Sequence, residues 1–243
     1  MIRLALLALL LAQTALAGGK MAGVATVELT PATFSAGLAA YRDAEGVYQE
    51  GTLFRLAPGH YELEPTAAEE ATCGNCEDPK TAVAYTYGLR IAGTGIALEA
   101  DPTAEGEVVI HTNAGYGLLF EDCTDCVLRG VTLTDGVRDP DPNATDAAVV
   151  ARNSVLRIED CLITENLGDS TLIATNVVGI IGVAGREGAR LELRGNRIVR
   201  NSLDGIALYR GAEALIEDNL IDGVDKAGGR VRGGGRGVGI GLT

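Results

Sequence analysis

One short phrase recurs through the second half of the chain, and it limits the available folds more than any other feature. Residues 127–134 read Val-Leu-Arg-Gly-Val-Thr-Leu-Thr, 156–163 Leu-Arg-Ile-Glu-Asp-Cys-Leu-Ile, 191–198 Leu-Glu-Leu-Arg-Gly-Asn-Arg-Ile and 215–222 Leu-Ile-Glu-Asp-Asn-Leu-Ile-Asp. Each is a short alternating strand, a sharp polar or glycine corner, and a second short strand. Self-similarity at a spacing of tens of residues, without a helical period, is the mark of a stacked β-solenoid. The composition agrees. Hydrophobic residues make up 47% of the chain but aromatics only 4%, so the core is built from thin aliphatic layers. The 33 glycines suit many tight corners at positive φ.

The corner positions are Val131, Cys161, Asn196 and Asn219. Asn196 to Asn219 is one plain coil, and the longer intervals before it are a coil plus an excursion. The excursions fall at 64–81, 138–146, 167–177 and 226–235. Insertions confined to one part of each coil are how repeat proteins build a binding face.

The N-terminus reads as an export signal: Arg3, an apolar run over 4–12, and a small-x-small site at Ala15 and Ala17. The run is too short to span a bilayer. The expectation is cleavage after Ala17, an exported protein with no remaining membrane span, and three parts: signal 1–17, an N-terminal strand and capping helix 18–46, and the solenoid 47–243. In the second part, Thr30 and Pro31 predict a helix start, with Phe34, Leu38 and Tyr41 on one face and Gly46 as the stop. Such a helix would cover the open first coil. The final segment 237–243 stops within a strand pattern, which predicts that the solenoid continues beyond it. A net charge of −13 argues against nucleic acid as partner.

Three features resemble the right-handed parallel β-helix superfamily, the pectate-lyase-like group: the first-coil phrase at 56–61 (Leu-Ala-Pro-Gly-His-Tyr), the coil consensus at 120–133, and Asn196 and Asn219 at the place of an inward-turned asparagine ladder. Val131 and Cys161 at that place imply a short ladder. The resemblance implies an all-β, right-handed parallel β-helix. Its members include lyases, hydrolases, epimerases and adhesins, so it leaves activity open. It permits a polysaccharide or cell-surface glycan as partner, and a Ca²⁺-dependent lyase or uronate epimerase with an arginine base, for which Arg200 and Arg210 are candidates.

Counting four residues past each corner gives Asp135, Glu165 and Arg200; counting eight gives Asp139, Asp169 and Asp204. Stacked carboxylates repel unless a cation lies between them, and Ca²⁺ is the ion that carboxylate oxygens suit. The plainer reading is turn chemistry, Asp204 preceding a glycine. Lys226, Arg230, Arg232 and Arg236 form a basic cluster near Tyr209 and Arg210, suited to uronate or sulfate groups or simply to solvent. Cys73 and Cys76, in a loop of an exported chain, predict a local disulfide. Cys126 and Cys161 read as core thiols. His60 and His111 lie far apart in sequence, and the expectation is that they do not form a joint site.

Overall fold

The computed structural model describes residues 25–168, 179–222 and 239–242. The expected signal at 1–17 lies outside them. The described strands form three sheets, visited in turn by each coil. The first holds Thr26–Leu29, Leu53–Leu56, Ala97–Ala100, Cys126–Arg129, Val155–Glu159, Arg190–Arg194 and Glu213–Glu217. The second holds Gly59–Glu62, Val108–His111, Thr132–Thr134, Leu162–Thr164, Arg197–Val199 and Leu220–Ile221. The third runs from Thr66–Glu70 through Val83–Thr94, Tyr116–Thr124, Ala147–Arg152, Ile181–Arg186 and Ile206–Leu208 to Ile240–Leu242. All pairings between these strands are parallel except that of Thr66–Glu70 with Val83–Thr94. This is an all-β solenoid.

The first sheet shows why these residues make strands. Its members alternate, and parallel register turns alternation into columns about 4.8 Å per step. Inward, Phe54, Leu98, Leu128, Ile158, Leu193 and Ile216 stack in one apolar column. Outward, Glu28, Arg55, Glu99, Arg129, Glu159, Arg194 and Glu217 form a column of strictly alternating charge. Arg55 bridges Glu28 and Glu99 at 3.2 Å each, and Arg129 bridges Glu99 at 3.3 Å and Glu159 at 2.5 Å.

The corners need left-handed backbone. Between the first and second sheets that position holds Gly130, Asp160, Gly195 and Asp218, with φ of 69°, 54°, 65° and 56°. Glycine and aspartate adopt it at low cost. The next corner residue turns inward. Asn219 Oδ1 accepts from Asn196 N at 2.9 Å and from Asn196 Nδ2 at 2.8 Å. Asn196 Oδ1 accepts from Cys161 N at 2.9 Å, and Asn196 Nδ2 donates to Ile158 O at 2.8 Å. The expected two-rung ladder is present. Cys161 continues it as a buried thiol, pushed up to about 12 by burial.

A second ladder stands at the corner between the second and third sheets. Asn166 Nδ2 donates to Asn201 Oδ1 at 2.9 Å, and Asn166 Oδ1 accepts from Gly136 N at 2.9 Å. Both asparagines are buried.

The helix Phe34–Ala39 closes the N-terminal end, with Phe34 and Leu38 buried. It starts later than Thr30: a turn precedes it, in which Thr33 N donates to Thr30 O at 3.0 Å and Thr30 N to Thr33 Oγ1 at 2.9 Å. Half of the scarce aromatics gather here. Phe34 meets Tyr61 edge-on at 5.0 Å, and Tyr48 meets Phe54 at 5.4 Å.

Asn196→Ala leaves a buried N–H and a buried C=O without partners. The expected loss is on the order of 3 kcal/mol, against about 1 kcal/mol for Asn219→Ala at the half-buried end of the ladder. Denaturant unfolding of the two variants checks this ordering.

Candidate functional site

Most excursions leave the coil at one edge, between the second and third sheets: 63–82, 112–115, 135–146, 165–180 and 200–205. Among the described coils, 101–107 interrupts between the first and second sheets, and 187–189 and 209–212, shorter, between the third and first. The excursion edge begins with Asp135, Glu165 and Arg200, one per coil. Their strands pair Thr134 with His111 and Thr164 with Val199, so the three follow in register as the four-residue count expects. Each takes left-handed backbone, at φ 60°, 56° and 57°. Arg200 Nη2 lies 2.5 Å from Glu165 Oε1.

Asp135 turns the other way, to a histidine that sequence reasoning kept apart from its neighbour. Asp135 Oδ2 lies 2.5 Å from His111 Nδ1. His60 Nδ1 lies 2.8 Å from His111 Nε2. The ring centroids are 5.2 Å apart, little more than one hydrogen bond plus two ring radii, so the rings meet nitrogen to nitrogen. The expectation of no joint histidine site is therefore corrected. The separation in sequence is taken up by the 63–82 excursion, and the two strands are neighbours, with Glu62 opposite His111. Glu62 Oε1 is 3.7 Å from His111 Nε2.

The eight-residue column does not form. Asp204 stands two residues before Ile206, which pairs with Val183, which pairs with Val149; the same step back reaches Ala147, not Asp139. The 135–146 excursion displaces Asp139. Its carboxylate accepts from Thr86 N at 2.7 Å and Thr86 Oγ1 at 2.8 Å, and it is buried, as is Asp204. Asp169 lies outside the described residues. A Ca²⁺ cage needs six to eight converging oxygens. Asp135, Glu165 and Asp139 each face a different partner, and among the described residues no three His, Cys, Asp or Glu side chains already stand at ligand spacing. Asp135, Glu165 and Asp139 thus do not converge on one ion.

Tyr209 and Arg210 are also placed away from an open groove. The outer face of the third sheet carries a second core, of which Tyr85, Tyr116, Leu119, Val150, Ala184, Ala207 and Tyr209 are members. The 63–82 excursion folds over it, and its Cys73–Cys76 disulfide is formed as expected. Arg210 fastens that loop, its Nη2 donating to Cys76 O and its Nε to Cys73 O at 3.4 Å. Beneath lies Arg186, fully buried, with Nη1 2.7 Å from Glu70 Oε1 and 3.0 Å from the Tyr116 hydroxyl. Burial raises Tyr116 well above an ordinary phenol, and it donates to Glu70 at 2.8 Å. Gly74 sits so close that a Cβ would come within 2.6 Å of Arg186 Nε. Lys226, Arg230, Arg232 and Arg236 lie outside the described residues. The open candidate site is therefore the second-sheet edge: His60, Glu62, His111, Asp135, Glu165 and Arg200.

Residues 84–241 match the sequence model of a family described as "right handed beta helix region". No curated protein and no solved structure matches the chain.

The 135–146 excursion carries its own pH dependence. Burial, with the nearby Asp139 charge, pushes Asp146 up to about 7 despite its contact with Arg138. A carboxyl raised on folding contributes stability that is full below its unfolded value, near 4, and is lost as the pH rises through 7. The thermal midpoint of the protein should fall across that window, and Asp146→Asn should flatten the slope. Melting curves between these pH values check it.

Proposed function

The chain belongs to the right-handed β-helix family, and on that premise we propose that it is an exported protein that binds extracellular or cell-surface carbohydrate along its excursion edge. The observation that carries this reading is the concentration of the outgrowths at one edge, beside a straight column of polar side chains. Asp135, Glu165 and Arg200 recur coil by coil, with His111 one residue out of that register and in contact with Asp135. A row of hydrogen-bonding groups repeating every ~4.8 Å suits a linear polymer rather than a compact ligand. Two shallow depressions elsewhere, one lined by Asp122, Asn153, Ser154 and Arg190 between the third and first sheets, the other by Arg42, Asp43, Glu45 and Arg90, are open and polar. The basic cluster Lys226, Arg230, Arg232 and Arg236 follows a strand of the second sheet in sequence and favours acidic or sulfated sugars.

Affinity electrophoresis against neutral, uronate and sulfated polymers, with and without Ca²⁺, tests the proposal. Retardation by at least one polymer is expected, without unsaturated product. Arg200→Ala, and replacement of the four basic residues by serine, should each weaken it several-fold. Retardation by none of them would leave a structural surface protein. Appearance of unsaturated product, abolished by chelator, would turn the reading to a Ca²⁺-dependent lyase. N-terminal sequencing of the exported chain should begin at Gly18.

A further inference from the structure

We propose that His60, His111 and Glu62 form a binding site for a divalent transition-metal ion, Zn²⁺ in the first instance, on the outer face of the second sheet. The site shares Asp135 with the edge proposed to bind carbohydrate but does not rest on that reading.

Register brings the three together. His60 and Glu62 are alternate residues of one strand and so share a face. His111, on the next strand, lies directly opposite Glu62. Two same-face residues and a facing residue make a compact triangle of donors. His60 Nδ1 and His111 Nε2 are 2.8 Å apart, and Glu62 Oε1 is 3.7 Å from that same His111 nitrogen. Without an ion the two imidazoles meet head-on through a hydrogen bond. Ligand bonds of ~2.0–2.1 Å at a tetrahedral angle need the nitrogens about half an ångström further apart and the rings pivoted. His60 and Glu62 are exposed, so the pivot displaces no core side chain.

Neighbouring side chains hold two of the three donors. His111 Nδ1 faces Asp135 Oδ2 at 2.5 Å. A proton held there fixes the tautomer that offers Nε2 as a lone pair, which is how a carboxylate prepares a ligating histidine. Glu62 is oriented as well: Asn113 Nδ2 donates to its Oε2 at 3.1 Å, leaving Oε1 for the ion. Neutral His60 ligates through Nδ1 once its proton moves to Nε2, so no charge has to leave. Two imidazoles and one carboxylate favour zinc and its neighbours over Ca²⁺, which prefers all-oxygen shells. Three protein ligands leave a fourth position open to water.

Calorimetric titration of the purified full-length chain with Zn²⁺ tests this, with Co²⁺ as a spectroscopic reporter. One site is expected, with a visible Co²⁺ spectrum of low coordination number and no competition from Ca²⁺. The double variant His60→Ala with His111→Ala should abolish it. Asp135→Asn, which touches no ion, should weaken it about 10–100-fold, while circular dichroism and the thermal midpoint without metal stay unchanged. His60→Asn serves as a second, milder variant should the double variant fold poorly. No binding up to about 1 mM Zn²⁺, or binding undiminished in the double variant, overturns the proposal. So does a six-coordinate Co²⁺ spectrum insensitive to Asp135→Asn.

Discussion

Successive coils lie in register, and almost every other property of the molecule follows from that. In a parallel stack each side chain meets its own counterpart one strand away, about 4.8 Å above and below. A position is therefore chosen for a column, not for a residue. Apolar columns gain with every added coil. Charged columns of one sign are penalised, and the first sheet answers with Glu and Arg in alternation from Glu28 to Glu217. Exposed pairs of this kind contribute little singly. Their sum matters more for register, because a slip of one coil would put like charges face to face.

The same constraint explains why two cores exist. The interior of the coil is aliphatic and thin. The outer face of the third sheet is apolar too: Ile181–Arg186 and Ile206–Leu208 are buried along their whole length. Strands covered on both sides lose alternation. The cover is the disulfide loop, pinned through Glu70, Arg186 and Arg210. A buried guanidinium is tolerable only with its charge and donors met, and removing Glu70 alone would cost far more than the pair contributes. The loop thus belongs to the fold, and its arginines are fasteners.

The difference between what the residues disclosed and what they concealed has the same origin. The corner asparagines Asn196 and Asn219 were legible because one plain coil separates them. Asn166 and Asn201 form an equally good ladder, but the 165–180 excursion lies between them and hides the period. His60 and His111 were read as distant for the same reason. Counting along the chain works only where no excursion intervenes, so Asp135, Glu165 and Arg200, just past the strand, fell in register while Asp139, inside an excursion, did not. Tyr209 and Arg210 followed a strand of consecutive apolar residues, a sign of two-sided burial that points away from an open groove.

Backbone strain separates the corners that only turn the chain from those where the side chain matters. Between the first and second sheets the left-handed position is given to glycine or aspartate, which accept it readily. At the other two corners Asn113, Asp135, Asp125 and Asn153 accept it in the same way, whereas Glu165, Arg200, Glu187 and Arg210 do not adopt it cheaply. Arg210 offsets that cost by holding the disulfide loop, and Glu187 by its contact with Arg186 at 3.1 Å. Glu165 and Arg200 pair with each other, at a half-exposed edge where a surface pair is worth little. A corner that served only to turn the chain would be open to glycine or aspartate throughout, as it is one corner earlier. The charges retained at the second-sheet edge, independent of any resemblance, are what makes it the edge to test first for a ligand.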